Sequence, residues 1–149
     1  MPLMRVALTA GAFNDAQKAG LAAALTESAC RAESVPDDPT SRMRALVLFD
    51  ELAPGCFYSA GRQAEAAVAG VFIDWYVSTG VLDAARKERF AHELQEAAAA
   101  ARAGDDGRMV VTSCVVHEVP EGQWAQNGSI RRLPEMVSLA HFEHLASIG

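Results

Sequence analysis

The chain repeats itself at an offset of about 67 residues, and this restricts its fold more than any other feature. Arg42-Met43 aligns with Arg108-Met109, Glu51 with Glu118, Gly55 with Gly122 and Phe57 with Trp124. Each copy runs in the same order: apolar strand, helix with an apolar face, second apolar strand. In the first copy, Leu3 to Leu8 reads as a strand and Asn14 opens a helix, with Gln17 placed to complete a capping box. Leu21, Ala24, Leu25 and Ala29 recur at helical spacing. Val35-Pro36-Asp37-Asp38-Pro39 reads as a loop, because two prolines and two aspartates interrupt both regular structures. From Arg42 the text turns strand-like through Ala45 to Phe49 and stops at Pro54-Gly55, before a short hairpin arm through Cys56 to Ser59. In the second copy, Val71 to Val77 is a strand, Leu82 to Ala101 a helix burying Phe90 and Leu94, and Met109 to Val116 a strand.

A right-handed crossover makes each strand pair parallel. Two tandem β-α-β units then give an α/β (α+β) chain with one four-stranded sheet and two helices on one face. The repeats span about 2–66 and 70–133 of a single domain, and Pro134 opens a terminal helix or arm over 134–149 carrying Met136, Leu139, Phe142 and Leu145. Strands such as Leu46 to Phe49 and Val110-Val111 are apolar on both sides, so the second face needs an apolar cover, which a neighbouring subunit can supply.

Half of the 149 residues are hydrophobic, enough for one domain with a real core. The net charge of −6 leaves no basic stripe to track phosphates, which argues against a nucleic-acid partner. No apolar stretch is long enough to span a membrane and no signal peptide is legible, so the expected compartment is the cytoplasm. Cys30, Cys56 and Cys114 are odd in number and widely spaced, the pattern of reduced, buried thiols. His141 and His144 share a helical face without the rest of a metal motif, so no metal is expected. No Walker loop, dinucleotide fingerprint or nucleophile elbow occurs, and no cofactor is indicated.

Chemistry enters at Pro2. Excision of Met1 leaves a prolyl secondary amine at the head of the first strand. An α-amino group ordinarily titrates near about 7.7–8.0, and an apolar pocket favours its neutral form. A neutral prolyl nitrogen can take a proton or attack a carbonyl.

This terminal proline on a strand, together with two tandem β-α-β units, resembles the tautomerase superfamily, in particular its long members with both units in one chain. Phe49-Asp50-Glu51-Leu52-Ala53-Pro54-Gly55-Cys56-Phe57-Tyr58-Ser59-Ala60-Gly61 is similar to the segment after the second strand in the cis-3-chloroacrylic acid dehalogenase branch, and Met1-Pro2-Leu3-Met4 to the opening of the malonate semialdehyde decarboxylase branch. The resemblance implies a homotrimer, a site at the sheet end where Pro2 emerges, and arginines that hold a substrate carboxylate. It also marks departures. Ser78-Thr79-Gly80-Val81 stands where the dehalogenase pattern has arginines, Ala29 where it has a histidine, Val115 at its tyrosine and Gln126 at its water-activating glutamate. Dehalogenation and decarboxylation are therefore not expected.

Among other candidates, Arg62 and Arg131 each follow a turn and are placed to bind an acid group. Trp124 and Asn127 resemble the tryptophan-asparagine loop near the proline in the macrophage migration inhibitory factor branch, where an amide donor suits an enolate oxygen. Asp74 and Tyr76 fall on one face of the third strand and Trp75 on the other, which puts a carboxylate in or near the sheet interior as a pocket residue or an intersubunit ion pair. The leading expectation is a cofactor-independent tautomerase with Pro2 as general base on a small oxo acid or enol. The rivals are a catalytically weak binding or structural trimer, and a covalent enzyme forming prolyl iminium adducts.

Overall fold

The computed structural model describes residues 1–104, 106–132 and 134. The expected terminal helix or arm, with His141 and His144, lies outside the described residues apart from Pro134. Strand β1 (Leu3–Leu8) leads to α1 (Asp15–Ala32), the one-turn α2 (Pro39–Arg42) and β2 (Leu46–Glu51). A hairpin of β3 (Tyr58–Ser59) and β4 (Arg62–Gln63) precedes β5 (Val68–Ser78), α3 (Ala84–Ala101) and β6 (Met109–Val119), and a second hairpin pairs β7 (Ala125–Gln126) with β8 (Ser129–Ile130). The main sheet has the order β2-β1-β5-β6; the outer pairs are parallel and the central pair, β1 with β5, is antiparallel. The antiparallel centre sets the two repeats head to tail, so each sheet end is built from the start of one repeat and the end of the other.

The repeat holds at the level of backbone conformation. Both hairpins obey the 67-residue offset, and their tips match: Ala60 at φ 49° with Asn127 at φ 51°, Gly61 at φ 74° with Gly128 at φ 79°. Gly55 and Gly122 share φ 81°, the left-handed region that glycine enters without strain. Corresponding hydrogen bonds recur as well: Ala64 N–H to the Phe57 carbonyl at 3.1 Å against Arg131 N–H to the Trp124 carbonyl at 2.7 Å.

Helix α1 begins as expected: the Asn14 side chain accepts from the Gln17 N–H at 2.8 Å, and the Gln17 side chain accepts from the Asn14 N–H at 2.9 Å. Leu21 and Leu25 of α1 and Phe90 and Leu94 of α3 pack with Met4, Val6, Val71, Ile73 and Trp75 into one core. The Trp75 and Phe90 rings meet at 4.1 Å between centroids. The opposite sheet face is bare: Leu46, Leu48 and Val115 are 43%, 49% and 53% exposed.

Three local expectations need correction. Pro39 does not belong to the loop; it occupies the first turn of α2, where its missing N–H costs nothing, while Asp38 caps from Oδ1 to the Ser41 N–H at 2.9 Å. Strands β5 and β6 run further than their apolar text, each to 11 residues. The thiols are not uniformly buried: Cys30 is, Cys114 is half-buried and Cys56 is exposed.

Candidate functional site

Pro2 is buried at the edge of the core, and its carbonyl accepts from the Leu46 N–H at 2.9 Å. Because Leu3 pairs with Tyr76, Pro2 lies beside Val77 at the carboxyl end of β5. The terminal amine carried by Met1 does not meet an apolar wall. It meets Glu33: the Met1 nitrogen stands 2.5 Å from Glu33 Oε2. The other carboxylate oxygen, Oε1, accepts from the Trp75 indole N–H at 3.0 Å. Glu33 is 1% exposed, and burial pushes its carboxyl above the usual range, opposed by the amine and the indole. Local sequence gave Glu33 no distinction. Its partners are 32 and 42 residues away in the chain, and the antiparallel register of β1 and β5 brings them together.

The same end of the sheet carries a cavity of about 340 Å³, lined by Ser78, Thr79, Val119, Pro120, Glu121, Trp124 and Arg131. It sits where β5 and β6 end, one strand over from Pro2. The second hairpin builds it, since the bond from Arg131 N–H to the Trp124 carbonyl holds the guanidinium-bearing residue beside the indole. Arg131 Nε is buried with no hydrogen-bond partner among the described residues. An unsatisfied guanidinium beside an aromatic face, with two hydroxyl groups nearby, suits a small acid with a planar body.

The two expected arginines therefore separate. Arg131 lines the cavity, whereas Arg62 is exposed on β4, which follows β2 at the far end of the sheet from Pro2. Asn127 is exposed at the hairpin tip and does not line the cavity. Alternation along β5 is as expected, with Trp75 buried and Asp74 and Tyr76 on the other face. That face is open in the single protomer, where Asp74 is 52% exposed. It contacts His117 Nε2 at 2.6 Å, and the His117 ring stacks on Tyr76 at 4.6 Å between centroids. No group of three or more histidine, cysteine or acidic side chains positioned to hold a metal occurs among the described residues, and no described helix is long and apolar enough to cross a membrane.

The internal repeat supplies a control. At the opposite sheet end the 67-residue offset places Ala69 at Pro2, Phe57 at Trp124, Ala64 at Arg131 and Pro54 at Glu121. The helix-ending residues differ in the same way: Glu33 caps α1 and Arg102 caps α3. The twin end carries a different set: a buried Arg102 with Asp106 and Arg108, and no counterpart of Glu33 or Arg131. The missed residue, Glu33, falls opposite Ala100 at the 67-residue offset, and its contrast with Arg102 emerges only when the helix caps are compared in the structure.

No protein-family model matches the chain, and no curated protein does. Solved structures match over most of it. A fused 4-OT, crystallised as an asymmetric trimer, is 22% identical with a TM-score of 0.66 over 85% of this chain and 94% of its own. A member of the cis-3-chloroacrylic acid dehalogenase family is 20% identical with a TM-score of 0.63 over 96% and 99%. A malonate semialdehyde decarboxylase inhibited by 3-bromopropiolate is 19% identical with a TM-score of 0.62 over 85% and 91%.

Proposed function

From a chain with the fold of the tautomerase superfamily, we propose a cofactor-independent tautomerase that uses the amine of Pro2, freed by removal of Met1, as general base for keto-enol proton transfer on a small oxo acid. The observation that carries this reading is the inequality of the two sheet ends. One backbone plan is used twice: the end with Pro2 has Trp124 and Arg131 where the 67-residue offset places Phe57 and Ala64, and α1 is capped by Glu33 where α3 is capped by Arg102. The sheet end that holds the chain terminus, with its buried Glu33, thus also holds a separate cavity lined by an indole and by an arginine whose Nε has no partner among the described residues.

In this scheme Arg131 binds the carboxylate and Trp124 packs along the conjugated body. The prolyl nitrogen takes the enol hydroxyl proton and delivers a proton to the carbon at the far end of the double-bond system, so an O–H bond breaks, a C–H bond forms, the hydroxyl becomes a carbonyl and the base is returned unchanged. Asn127, Asp74, Tyr76 and Arg62 do not join Pro2 within one protomer, and a role for them requires a second copy. We propose a homotrimer, supported by the apolar open face of the sheet and by the trimeric state of the fused 4-OT.

Phenylenolpyruvate and 2-hydroxymuconate are the substrates for the test. Pro2→Ala is expected to lower kcat/KM by at least about 100-fold, the usual contribution of a positioned general base, and Arg131→Ala to raise KM with a smaller effect on kcat. Equal rates in wild type and Pro2→Ala defeat the proposal. A second reading, a trimer that binds small acids without efficient turnover, is favoured by Ser78 and Thr79, which line the cavity where the dehalogenase pattern has arginines. Binding that survives Pro2→Ala unchanged, with no turnover by wild type, selects it.

A further inference from the structure

We propose that Glu121 is the specificity-determining residue of the cavity at the end of β5 and β6: it admits acids that carry one carboxylate on an uncharged body and turns away acids that carry two. This rests on the reading of Arg131 as the carboxylate ligand and adds which class of acid the cavity selects.

The cavity is lined by one cation and one anion, and the two do not neutralise each other. Arg131 and Glu121 both line it, yet no ion pair joins them among the described residues. Arg131 Nε is buried without a hydrogen-bond partner there, which leaves the guanidinium open to one incoming carboxylate. Val119, Pro120 and Trp124 give the cavity an apolar wall, and its two remaining side chains are hydroxyls that carry no charge. The volume of about 340 Å³ is that of a small-molecule pocket. Ionic groups on the adjoining strand ends are already matched, Glu118 with Lys87 at 3.3 Å and Asp74 with His117 at 2.6 Å. Arg132 is exposed and does not line the cavity.

The backbone fixes where Glu121 stands. The Gln123 N–H donates to the Pro120 carbonyl at 3.1 Å and Gly122 has φ 81°, so Glu121 is the second residue of a tight turn. The twin turn is built the same way, with the Cys56 N–H donating to the Ala53 carbonyl at 3.1 Å and Gly55 at φ 81°, and its second residue is Pro54. Proline is the residue this turn position favours, so the turn itself does not call for a carboxylate. The 67-residue offset likewise places Ala64 at Arg131, so neither charge belongs to the shared backbone plan. Once a carboxylate occupies Arg131, the positive charge of the cavity is used and Glu121 remains. A second carboxylate within about 6 Å of it meets repulsion of about tenfold in binding, after screening of an exposed side chain by solvent and salt. An uncharged body meets only the apolar wall. Selection of this kind comes from the group that repels the wrong ligand.

The experiment measures binding by NMR at the Trp124 indole N–H, assigned against Trp124→Phe, with three unreactive probes: 3-phenylpropionate, adipate and monomethyl adipate, the last two differing by one charge. Wild type is expected to bind 3-phenylpropionate and monomethyl adipate about tenfold more tightly than adipate. Glu121→Gln keeps the shape of an exposed turn residue and is expected to bring adipate to within about threefold of monomethyl adipate, whereas Glu121→Asp keeps most of the wild-type ratio. Asp15→Asn removes one charge at the far end of the sheet, where α1 starts, and is expected to leave the ratio as it is. In turnover, the kcat/KM of the diacid 2-hydroxymuconate relative to that of phenylenolpyruvate is expected to rise about tenfold in Glu121→Gln. Equal adipate to monomethyl adipate ratios in wild type and Glu121→Gln overturn the inference, as does an equal change in Asp15→Asn. If none of the three acids perturbs the indole, the inference falls together with the reading of Arg131 as carboxylate ligand. The binding ratio needs no turnover, so it can fail while Pro2 remains the base, and it can succeed while the tautomerase activity is missing.

Discussion

Trp75 joins the core to the terminus. Its ring packs on Phe90 and its indole N–H reaches Glu33 Oε1, so one side chain satisfies both a hydrophobic layer and a buried acid. Trp75→Phe is expected to destabilise the protein by about 2–4 kcal/mol, combining the smaller ring with the loss of a donor to a buried carboxylate. A fall in the urea midpoint checks this, and an unchanged midpoint overturns it. Cys114 illustrates the same dependence on surroundings. Burial, with the charge of Asp74 adding to it, raises its thiol to about 12, which keeps it protonated and unreactive at neutral pH. Neither Trp75 nor Cys114 carries this role in its local text: Ile73-Asp74-Trp75-Tyr76 reads as strand whatever lies above it. Pro2 and Arg131 stand out in the sequence as a terminal proline and a post-turn arginine, and the same post-turn signal singles out Arg62, which lies at the other end of the sheet. Glu33 does not stand out, since Arg31-Ala32-Glu33-Ser34 is ordinary helix-ending text.

Helix starts are the elements most faithfully written in the chain. Asn14 and Gln17 exchange side-chain and backbone bonds, and Asp83 Oδ1 accepts from the Arg86 N–H at 2.8 Å. Asn14→Ala is expected to cost about 1 kcal/mol, read as a lower thermal midpoint with an unchanged helical spectrum; no change shows that the tertiary contacts of α1 carry its start. Strand ends are less faithfully written. Ala69 and Gly70 have weak strand preference, yet they belong to β5 because they pair with Val110 and Val111 of β6; the Thr9 hydroxyl also donates to the Val68 carbonyl and accepts from the Gly70 N–H, both at 3.1 Å. A side chain at Gly70 has no room, since a Cβ there stands 2.5 Å from the Phe72 ring. The extra length of β5 thus comes from pairing with a strand that starts at Met109, beyond the range of any local pattern.

For the whole molecule, the open sheet face is the main unfinished surface. Leu46, Leu48 and Val115 are exposed across it, with the Arg5–Asp50 ion pair at 3.0 Å and the Asp74–His117 contact between them. Covering such a face desolvates these polar contacts, and the burial of Leu46, Leu48 and Val115 must exceed that cost. Wild type is expected to run as a trimer by light scattering and Leu48→Asp as a folded monomer; a monomeric wild type refutes the proposed assembly. The sequence by itself determined the periods, the caps and the duplication, because each depends on residues a few positions apart or on one copy matching another. Only the tertiary structure decided that the chain start, the end of α1 and the middle of β5 meet at one point, and that Arg131 shares that end of the sheet while Arg62 does not. The physical reason is the antiparallel pairing of β1 with β5, a choice made by burial and hydrogen bonding between distant segments.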